Sequence, residues 1–241
     1  MIRRAFVPCP GNVLIAADYS QIELRILAHM SDDKELVDSF MKDEDVHRRT
    51  ASEIFSVPPE QVDDRQRGIA KAINFGLMYG KSAFGLAQEL KIPRKEAQEM
   101  IARYFERYPG VKIYMESTRA LAKEQGYVET VFGRRLQLAG IQSAKGALLA
   151  GLERAAINAP MQGTAADLIK MSMVKVQQVL DSQNKATKMI MQVHDELVFE
   201  VPDAEVDWLK TEIPRIMAEV AALKVPLLAE VGVGPNWDKA H

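Results

Sequence analysis

The alternation of hydrophobic and polar positions predicts one buried strand followed by a long helical stretch. Residues 13–17 are uniformly apolar and end at Asp18, a pattern typical of a buried strand with a carboxylate at its exit. Apolar residues then recur at helical spacing, and capping residues, prolines and glycines separate the segments. The predicted helices comprise 21–29, a segment from the cap at 31–33 to residue 41, 45–55, 64–79, 93–108 and 111–125.

The pattern changes in the second half of the chain. A small strand is predicted at 127–131, followed by a long apolar helix at 146–180 that Pro160 and Gly163 are expected to bend. Strands at 189–193 and 197–201 flank an acidic hairpin tip, and the last predicted elements are a helix at 209–222 and a strand at 225–231. This order predicts an α+β fold in which a mostly helical insertion interrupts an antiparallel sheet domain.

The composition is that of an ordinary globular protein. The 241 residues suffice for one large or two modest domains, and 47% hydrophobic with 27% charged residues excludes a disordered or fibrous chain. The single cysteine cannot form an intramolecular disulfide, no stretch approaches the ~18–20 apolar residues of a membrane span, and the N-terminus lacks a signal peptide's apolar run. A reducing cytosol is therefore the expected location.

The charge balance points in two directions. A net charge of -2 argues against a strongly basic nucleic-acid binder, but residues 60–135 carry 14 basic and 10 acidic side chains between two acidic flanks. A basic middle segment suits phosphates held near a carboxylate site. Scattered charges on solvent-exposed helices give the same count, so charge leaves both interpretations open.

Carboxylates stand where predicted strands end. Asp18 leaves the first strand, and Asp195 with Glu196 forms the tip of the later hairpin, so the three meet if these strands are neighbours in one sheet. Converging carboxylates with few histidines favour Mg²⁺ over zinc, and two ions roughly 3.5–4 Å apart would activate a hydroxyl and stabilise a leaving phosphate oxygen. The alternative is that these acids are merely solvated turn residues.

A second pattern lies on the predicted helix 64–79. Arg67, Lys71, Phe75 and Tyr79 recur every four residues and share a sector of about 120° on the helix. Cations at one end suit a triphosphate, and rings at the other suit a sugar and a base. An amphipathic helix with its rings in the core and its cations in water is the alternative. The segment 76–82 resembles a phosphate loop, but only three residues separate its glycines and it closes a helix, so we reject that reading.

A polar stripe interrupts the long apolar helix. Arg154, Asn158 and Gln162 recur at four-residue spacing, which suits either the minor groove of a nucleic acid or a hydrogen-bonded core network near Pro160. His47 and His194 are isolated histidines, for which a structural role is the default.

Three blocks in fixed order carry a resemblance to a known family. Residues 18–25, 67–80 and 192–197 resemble motifs A, B and C of family A DNA polymerases. The resemblance implies a palm over 1–28 and 153–241 with inserted fingers over 29–152. Only 17 residues precede Asp18, so we expect the thumb and the first part of the palm to be missing, and the chain to be a fragment or a truncated product.

The resemblance also implies roles at the catalytic centre. Asp18 and Asp195 would bind two Mg²⁺ ions, and Glu196 would be an accessory carboxylate near the primer end. The nucleotide would be held by further residues: Arg67 and Lys71 on the phosphates, with Lys71 also a proton donor to pyrophosphate; His47 on the phosphates; Phe75 on sugar and base; Gln21 on the pocket floor; and Glu23 as a steric gate against ribose. Phe75, rather than tyrosine, implies discrimination against dideoxynucleotides.

The implied partners are primer–template DNA and deoxynucleoside triphosphates. Tyr79 would guard the templating position, and the minor groove would be read by Arg154, Asn158, Gln162 and His194. The expected function is template-directed addition of deoxynucleotides to a primer 3′-OH by a bacterial, nucleoid-associated enzyme. Two alternatives remain for a chain without a thumb: weak nucleotide or primer–template binding without turnover, and a folding or assembly fragment with neither activity.

Overall fold

The computed structural model describes residues 2–241, which form an α+β fold as the sequence predicts. The strands are β1 (Asn12–Tyr19), β2 (Tyr127–Glu129), β3 (Arg135–Gln137), β4 (Lys188–Val193), β5 (Glu196–Pro202) and β6 (Ala229–Gly234). The helices are α1 (Ile22–Ser31), α2 (Lys34–Met41), α3 (Val46–Phe55), α4 (Asp64–Met78), α5 (Ala83–Leu90), α6 (Arg94–Arg107), α7 (Pro109–Gln125), α8 (Gly146–Ser182), α9 (Val206–Ala218) and α10 (Trp237–Ala240). Within these residues, no helix combines the length and the apolar character that crossing a bilayer requires.

The chain divides into two compact units. One, the sheet unit, contains the residues up to Leu24 together with Thr164–His241; the other, the helical unit, is Arg25–Gly163. The predicted division lay at 28/29 and 152/153, whereas the contacts divide the chain at 24/25 and 163/164. The later second boundary arises because the first part of α8 packs on the hairpin β2–β3: Ala156 shares one cluster with Val128 and Leu138. The names palm and fingers for these units stay predictions.

The sheet unit is built on four antiparallel strands in the order β4-β5-β1-β6. The central strand β1 is apolar over residues 14–17, all of them buried, because it has neighbours on both sides and layers on both faces. On one face, α10 packs against Leu14, Ala16 and Val198. Toward the helices, the Tyr19 hydroxyl lies 2.6 Å from Ser172 Oγ of α8 and donates to the Met217 carbonyl of α9 at 2.7 Å.

The helical unit is held by apolar contacts and a buried polar network. Ala51 of α3 and Ala70 of α4 pack together with Val62. Two helices are capped by one buried carboxylate, since Asp33 accepts from the amides of Leu36 at the start of α2 and Gly110 at the start of α7. This shared cap ties the start of α2 to the start of α7.

Several elements differ from the prediction. Helix α5 and the four-residue α10 were not predicted, and Pro160 lies inside α8 without ending it. The last strand was placed at 225–231 but pairs only from Ala229 onward. Val225 and Leu227 are buried without being part of the ladder, so the apolar pattern correctly indicated burial there but not strand pairing.

Candidate active site

A group of carboxylates lies at one end of the sheet unit. Asp18, near the end of β1, stands opposite Glu196 of β5 and opposite Glu230 of β6 in the strand register. Asp195 belongs to the β4–β5 turn, and its carbonyl accepts from the Tyr19 amide at 3.2 Å. The pairing that the sequence could only suggest therefore exists, because β5 lies next to β1 although about 180 residues separate them.

The Asp18 carboxylate is in an unfavourable environment for a negative charge. Its Oδ1 is buried and has no hydrogen-bond partner in the part of the chain that the structure describes. Burial and, after it, the nearby carboxylates of Asp195 and Glu196 together raise the pKa of Asp18 to about 6. A bound cation would relieve both the desolvation and the repulsion, so this donor set fits a hard divalent metal.

The protein offers few ligands to such a metal. Across residues 2–241, no group of three or more His, Cys, Asp or Glu side chains is arranged to hold an ion by itself. Two carboxylates completed by water and substrate phosphates are the usual environment of Mg²⁺, which is seldom enclosed by an all-protein cage. Asp18 and Asp195 are consistent with that kind of site.

Glu196 differs from the other two carboxylates because it is already engaged. The residue is 3% exposed; its Oε1 accepts from Trp237 Nε1 at 2.8 Å, and its Oε2 lies 3.1 Å from His241 Nδ1. Any accessory role near a primer end, as the resemblance implies, would therefore be exerted from this anchored position. Neither Trp237 nor His241 was singled out from the sequence.

A cleft of about 520 Å³ opens beside Asp18. Gln21 lines it from a left-handed backbone conformation (φ 52°), and its Oε1 is buried without a partner in the described residues. Glu23 follows in the first turn of α1 and is half-buried. The opposite end of the chain contributes Lys239 and His241 to the lining.

His194 lies in the β4–β5 turn, next to Asp195. It is exposed and adopts a left-handed conformation (φ 54°), and its carbonyl accepts from Gln192 Nε2 at 2.6 Å. The backbone of His194 is therefore hydrogen-bonded within the turn, while its ring is accessible.

In the helical unit, α4 presents the predicted stripe of cations and rings. A capping box between Asp63 and Gln66 fixes the start of the helix. Arg67 Nε donates to Asp45 Oδ2 at 2.6 Å, whereas Lys71 is exposed and has no ion-pair partner among residues 2–241. The alternative interpretation placed both rings in the core, but Phe75 and Tyr79, at the C-terminal end of the stripe, are only half-buried.

The rings of the stripe stack on each other at its C-terminal end. Phe75 and Tyr79 are half-buried, with their centroids 6.3 Å apart and their planes at 25°. A groove of about 430 Å³ runs along Lys71, Phe75 and Tyr79 and ends at the ion pair between Lys81 and Glu89. A cation and two ring faces therefore border one accessible groove.

His47 is buried behind this stripe. It is 3% exposed, its ring centroid lies 5.7 Å from that of Phe75, and Asn74 Nδ2 donates to its Nδ1 at 3.0 Å. Asn74 also exchanges hydrogen bonds with Thr50. Burial lowers the pKa of His47 to about 4, so the ring is neutral at physiological pH. Contact with a phosphate stays a prediction, and it would have to use a neutral N–H.

The low pKa of His47 predicts a loss of stability in acid. A folded-state pKa below the unfolded value of about 6.5 means that the unfolded chain binds the proton first, so stability is present above pH 6.5 and is lost as pH falls toward 4. Between pH 7.5 and pH 5, urea unfolding should lose about 2 kcal/mol more in the wild type than in His47→Gln. His194→Gln, at an exposed histidine, is the control and should lose as much as the wild type. Equal losses in all three would contradict the assignment.

The polar stripe of α8 meets the end of α4. Asn158 Nδ2 lies 3.5 Å from the Tyr79 carbonyl, and Asn158 Oδ1 is buried with no partner in the described residues. Arg154 covers Gly80, whose φ of +70° ends the α4 turn; a Cβ there would lie 3.0 Å from Arg154 Cγ. Gln162 is exposed one turn further along. The structure thus brings Arg154 and Asn158 to Tyr79, and it leaves Gln162 apart from them.

Sequence reasoning missed several residues that support these side chains. They are Asp45, which pairs with Arg67; Asn74, which bonds His47; Glu230, which flanks Asp18; and Trp237 and His241, which bond Glu196. Asp45 carried a usable signal, because it was recognised as the start of a helix. Asn236 carried a similar cap signal before Trp237, and its Oδ1 accepts from the Lys239 amide at 3.0 Å.

Comparison with known proteins gives one consistent result. Residues 1–239 match the sequence model of DNA polymerase family A. DNA polymerase I of Pseudomonas aeruginosa is 58% identical over 240 residues, which are 100% of this chain and 26% of that protein. DNA polymerase I of Caldicellulosiruptor bescii is 49% identical over 237 residues, 98% of this chain and 28% of that protein.

The fold has a close counterpart among solved structures. The POL domain of Pol1 from M. smegmatis, solved in complex with DNA primer-template and dNTP, matches with a TM-score of 0.94 and 44% identity. The match covers 99% of this chain and 42% of that chain. This chain therefore spans about a quarter of the length of the curated relatives above and less than half of the POL domain.

Proposed function

Because the chain belongs to DNA polymerase family A, we propose that it forms the part of a polymerase catalytic core that adds deoxynucleotides to a primer 3′-OH on a template. The observation that supports this most directly is the Asp18 carboxylate, which is partly buried, lies close to Asp195 and has no hydrogen-bond partner for Oδ1 among residues 2–241. A cation beside such a group stabilises its ionised form, and phosphoryl transfer is the chemistry that needs cations held beside phosphates.

Asp18 and Asp195 are the proposed ligands of two Mg²⁺ ions. When bound, the metal supplies activation of the primer hydroxyl and stabilisation of the charge on the leaving phosphate oxygens. The protein's own contribution is to fix two carboxylates on a strand end and its neighbouring turn, where the sheet hydrogen bonds keep them in place. Glu196, bonded to Trp237 and His241, holds a further negative charge beside Asp18.

The α4 stripe is the proposed binding surface for the incoming nucleotide. Lys71 is an exposed cation without an ion-pair partner in residues 2–241, so it can bind a phosphate without first breaking an ion pair. Arg67, in contrast, is already paired with Asp45 and would have to contact the phosphate while keeping or breaking that ion pair. Phe75 would offer a ring face to sugar and base, and Tyr79, whose ring stacks on that of Phe75, would guard the templating position. His47, Gln21 and Glu23 keep their predicted roles on the phosphates, at the pocket floor and as a gate against a 2′-hydroxyl.

The duplex would be read without regard to sequence. Arg154, Asn158, Gln162 and His194 are long or amide-bearing side chains that can donate to the acceptors common to all base pairs in the minor groove. A template-directed enzyme must accept every sequence, so backbone and minor-groove contacts suit it better than base-specific ones. Arg154, Gln162 and His194 are exposed, so their donor groups are accessible, whereas Nδ2 of the half-buried Asn158 already faces the Tyr79 carbonyl at 3.5 Å.

A second candidate is binding without turnover. The chain spans about a quarter of its relatives, so phosphate contacts made elsewhere in those proteins are not available to it. Fewer contacts mean weaker binding with a smaller dependence on salt. Saturable binding of nucleotide or DNA without extension would be the signature of this function.

One experiment separates the two candidates. A labelled primer–template is titrated with the chain at two salt concentrations in Mg²⁺, and the four deoxynucleotides are then added. Extension of the primer is the expected result of the proposed function, and saturable binding without extension is the result expected of the second candidate. If the chain neither binds nor extends, and a longer polymerase that contains it also fails to extend the primer, the proposed function is wrong.

A further inference from the structure

The short helix α10 lies so close to β6 that two positions of this strand have no room for a side chain. An added Cβ at Gly232 would lie 2.0 Å from the Ala240 carbonyl oxygen, and one at Gly234 would lie 2.6 Å from the Lys239 carbonyl carbon. Both are far below any real contact distance, so only glycine allows the helix this approach to β6. The position of α10 relative to the Asp18 strand is therefore set by the backbone itself.

Trp237 enters the core from this helix. It is 8% exposed and packs with Leu14, Ala16 and Val198, and Phe6 meets its ring edge-on at 5.4 Å. Its one polar atom, Nε1, donates to Glu196 Oε1 at 2.8 Å. A buried indole N–H requires an acceptor, and here that acceptor is a carboxylate opposite Asp18 in the strand register.

Glu196 depends on these donors. A carboxylate at 3% exposure is costly unless it is hydrogen-bonded, and its two oxygens are met by Trp237 Nε1 and His241 Nδ1. With both oxygens held, Glu196 cannot swing toward a cation and acts as a fixed negative charge beside Asp18. Residues that hydrogen-bond metal ligands typically change metal affinity by about 10–100-fold when they are replaced, and Trp237 acts on the carboxylate next to such a ligand, so the lower end of that range is expected here.

We propose that Trp237 is a positioning residue for the cation site: its N–H holds the Glu196 carboxylate in place beside Asp18 and so keeps Asp18 and Asp195 as the pair that binds divalent metal. The inference rests on the proposed function, because it requires that this pair binds a cation. It adds a residue that lies outside the three motif blocks and about 40 positions from the nearest of them in the chain.

The test is a calorimetric titration of the chain with Mn²⁺ alone, with no nucleotide or DNA present. Trp237→Phe keeps the ring and removes the N–H, and it should weaken Mn²⁺ binding by about tenfold or more. Trp208→Phe is the matched control, because Trp208 is the only other tryptophan in the sequence and lies on α9, where Lys185 Nζ sits 4.3 Å from its ring centroid. Its affinity for Mn²⁺ should equal that of the wild type.

A double-mutant cycle distinguishes positioning from a general packing effect. If Trp237 acts through Glu196, then Trp237→Phe should change Mn²⁺ affinity less than about twofold in a Glu196→Ala background. Urea unfolding without metal checks that each variant is folded.

The possible failures are distinguishable. Equal Mn²⁺ affinity in the wild type and in Trp237→Phe would overturn the inference and leave the proposed function in place. An undiminished effect of Trp237→Phe in the Glu196→Ala background would overturn it as well. If the wild type binds no Mn²⁺, the cation site of the proposed function fails, and the inference fails with it.

Discussion

Replacing Asp18 or Asp195 by asparagine is expected to abolish primer extension without unfolding the protein. A metal ion held by these carboxylates would contribute several kcal/mol to the stabilisation of transition-state charge, so extension should fall by about a thousandfold or more when it is lost. Asparagine keeps the shape of the side chain and removes the charge that holds the cation. The measurement is single-turnover extension in Mg²⁺, made with this chain or with a longer polymerase that contains it.

The same substitution at Asp18 should have the opposite effect on stability. Burial and the neighbouring carboxylates raise the pKa of Asp18 to about 6, above the unfolded value, so the folded state binds a proton more tightly than the unfolded state does. Wild-type stability is therefore favoured in acid and is lost as pH rises from about 4 to about 6. In EDTA at pH 8, Asp18→Asn should be more stable than the wild type by about 1–2 kcal/mol, a range reduced for solvent screening of a half-buried group.

Asp203→Asn is the control for both measurements, because Asp203 is an exposed acid of the same unit that lies outside the carboxylate group. It should change neither extension nor stability. Extension at the wild-type rate by Asp18→Asn would show that the metal assignment is wrong. A variant that is inactive because it unfolds in EDTA would contradict the electrostatic argument instead.

Local spacing was sufficient to predict the elements and side chains that depend on near neighbours. The helix that begins near Asp45, the helix that follows Asp63 and the β4–β5 hairpin all appear where the sequence indicates. The stripe on α4 also appears, because a spacing of four residues brings side chains to one side of any helix. These features need no knowledge of the rest of the fold.

Local spacing could not predict the contacts between segments that are distant in the sequence. Arg67 and Asp45 are 22 residues apart, His47 and Asn74 are 27 apart, and Trp237 and Glu196 are 41 apart. Nothing in a periodic pattern specifies which element packs on which, so the burial of His47 and the anchoring of Glu196 were both missed. The pairing of Asp18 with the β4–β5 hairpin was stated only as a condition, and the observed strand order satisfies it.

Lys71 should matter to the rate of the reaction in two separable ways. As an exposed cation without an ion-pair partner in the described chain, it can bind the nucleotide phosphates, and as an ammonium group it can give a proton to the leaving pyrophosphate. Lys71→Met removes both functions, so kcat/KM for the incoming deoxynucleotide should fall by about a thousandfold. Lys95→Met, at an exposed lysine of α6 in the same unit, should leave it unchanged.

Lys71→Arg separates the two functions, because arginine keeps the positive charge but does not give up its proton in proteins. If Lys71 is the proton donor, the arginine variant should recover most of the nucleotide KM while its kcat stays about a hundredfold low. If the charge alone matters, the arginine variant should recover both constants, and the role of proton donor would have to be given up. A methionine variant with an unchanged KM and kcat would contradict the whole assignment of the α4 stripe, since Lys71 is the one cation of that stripe whose charge no acidic partner offsets among residues 2–241.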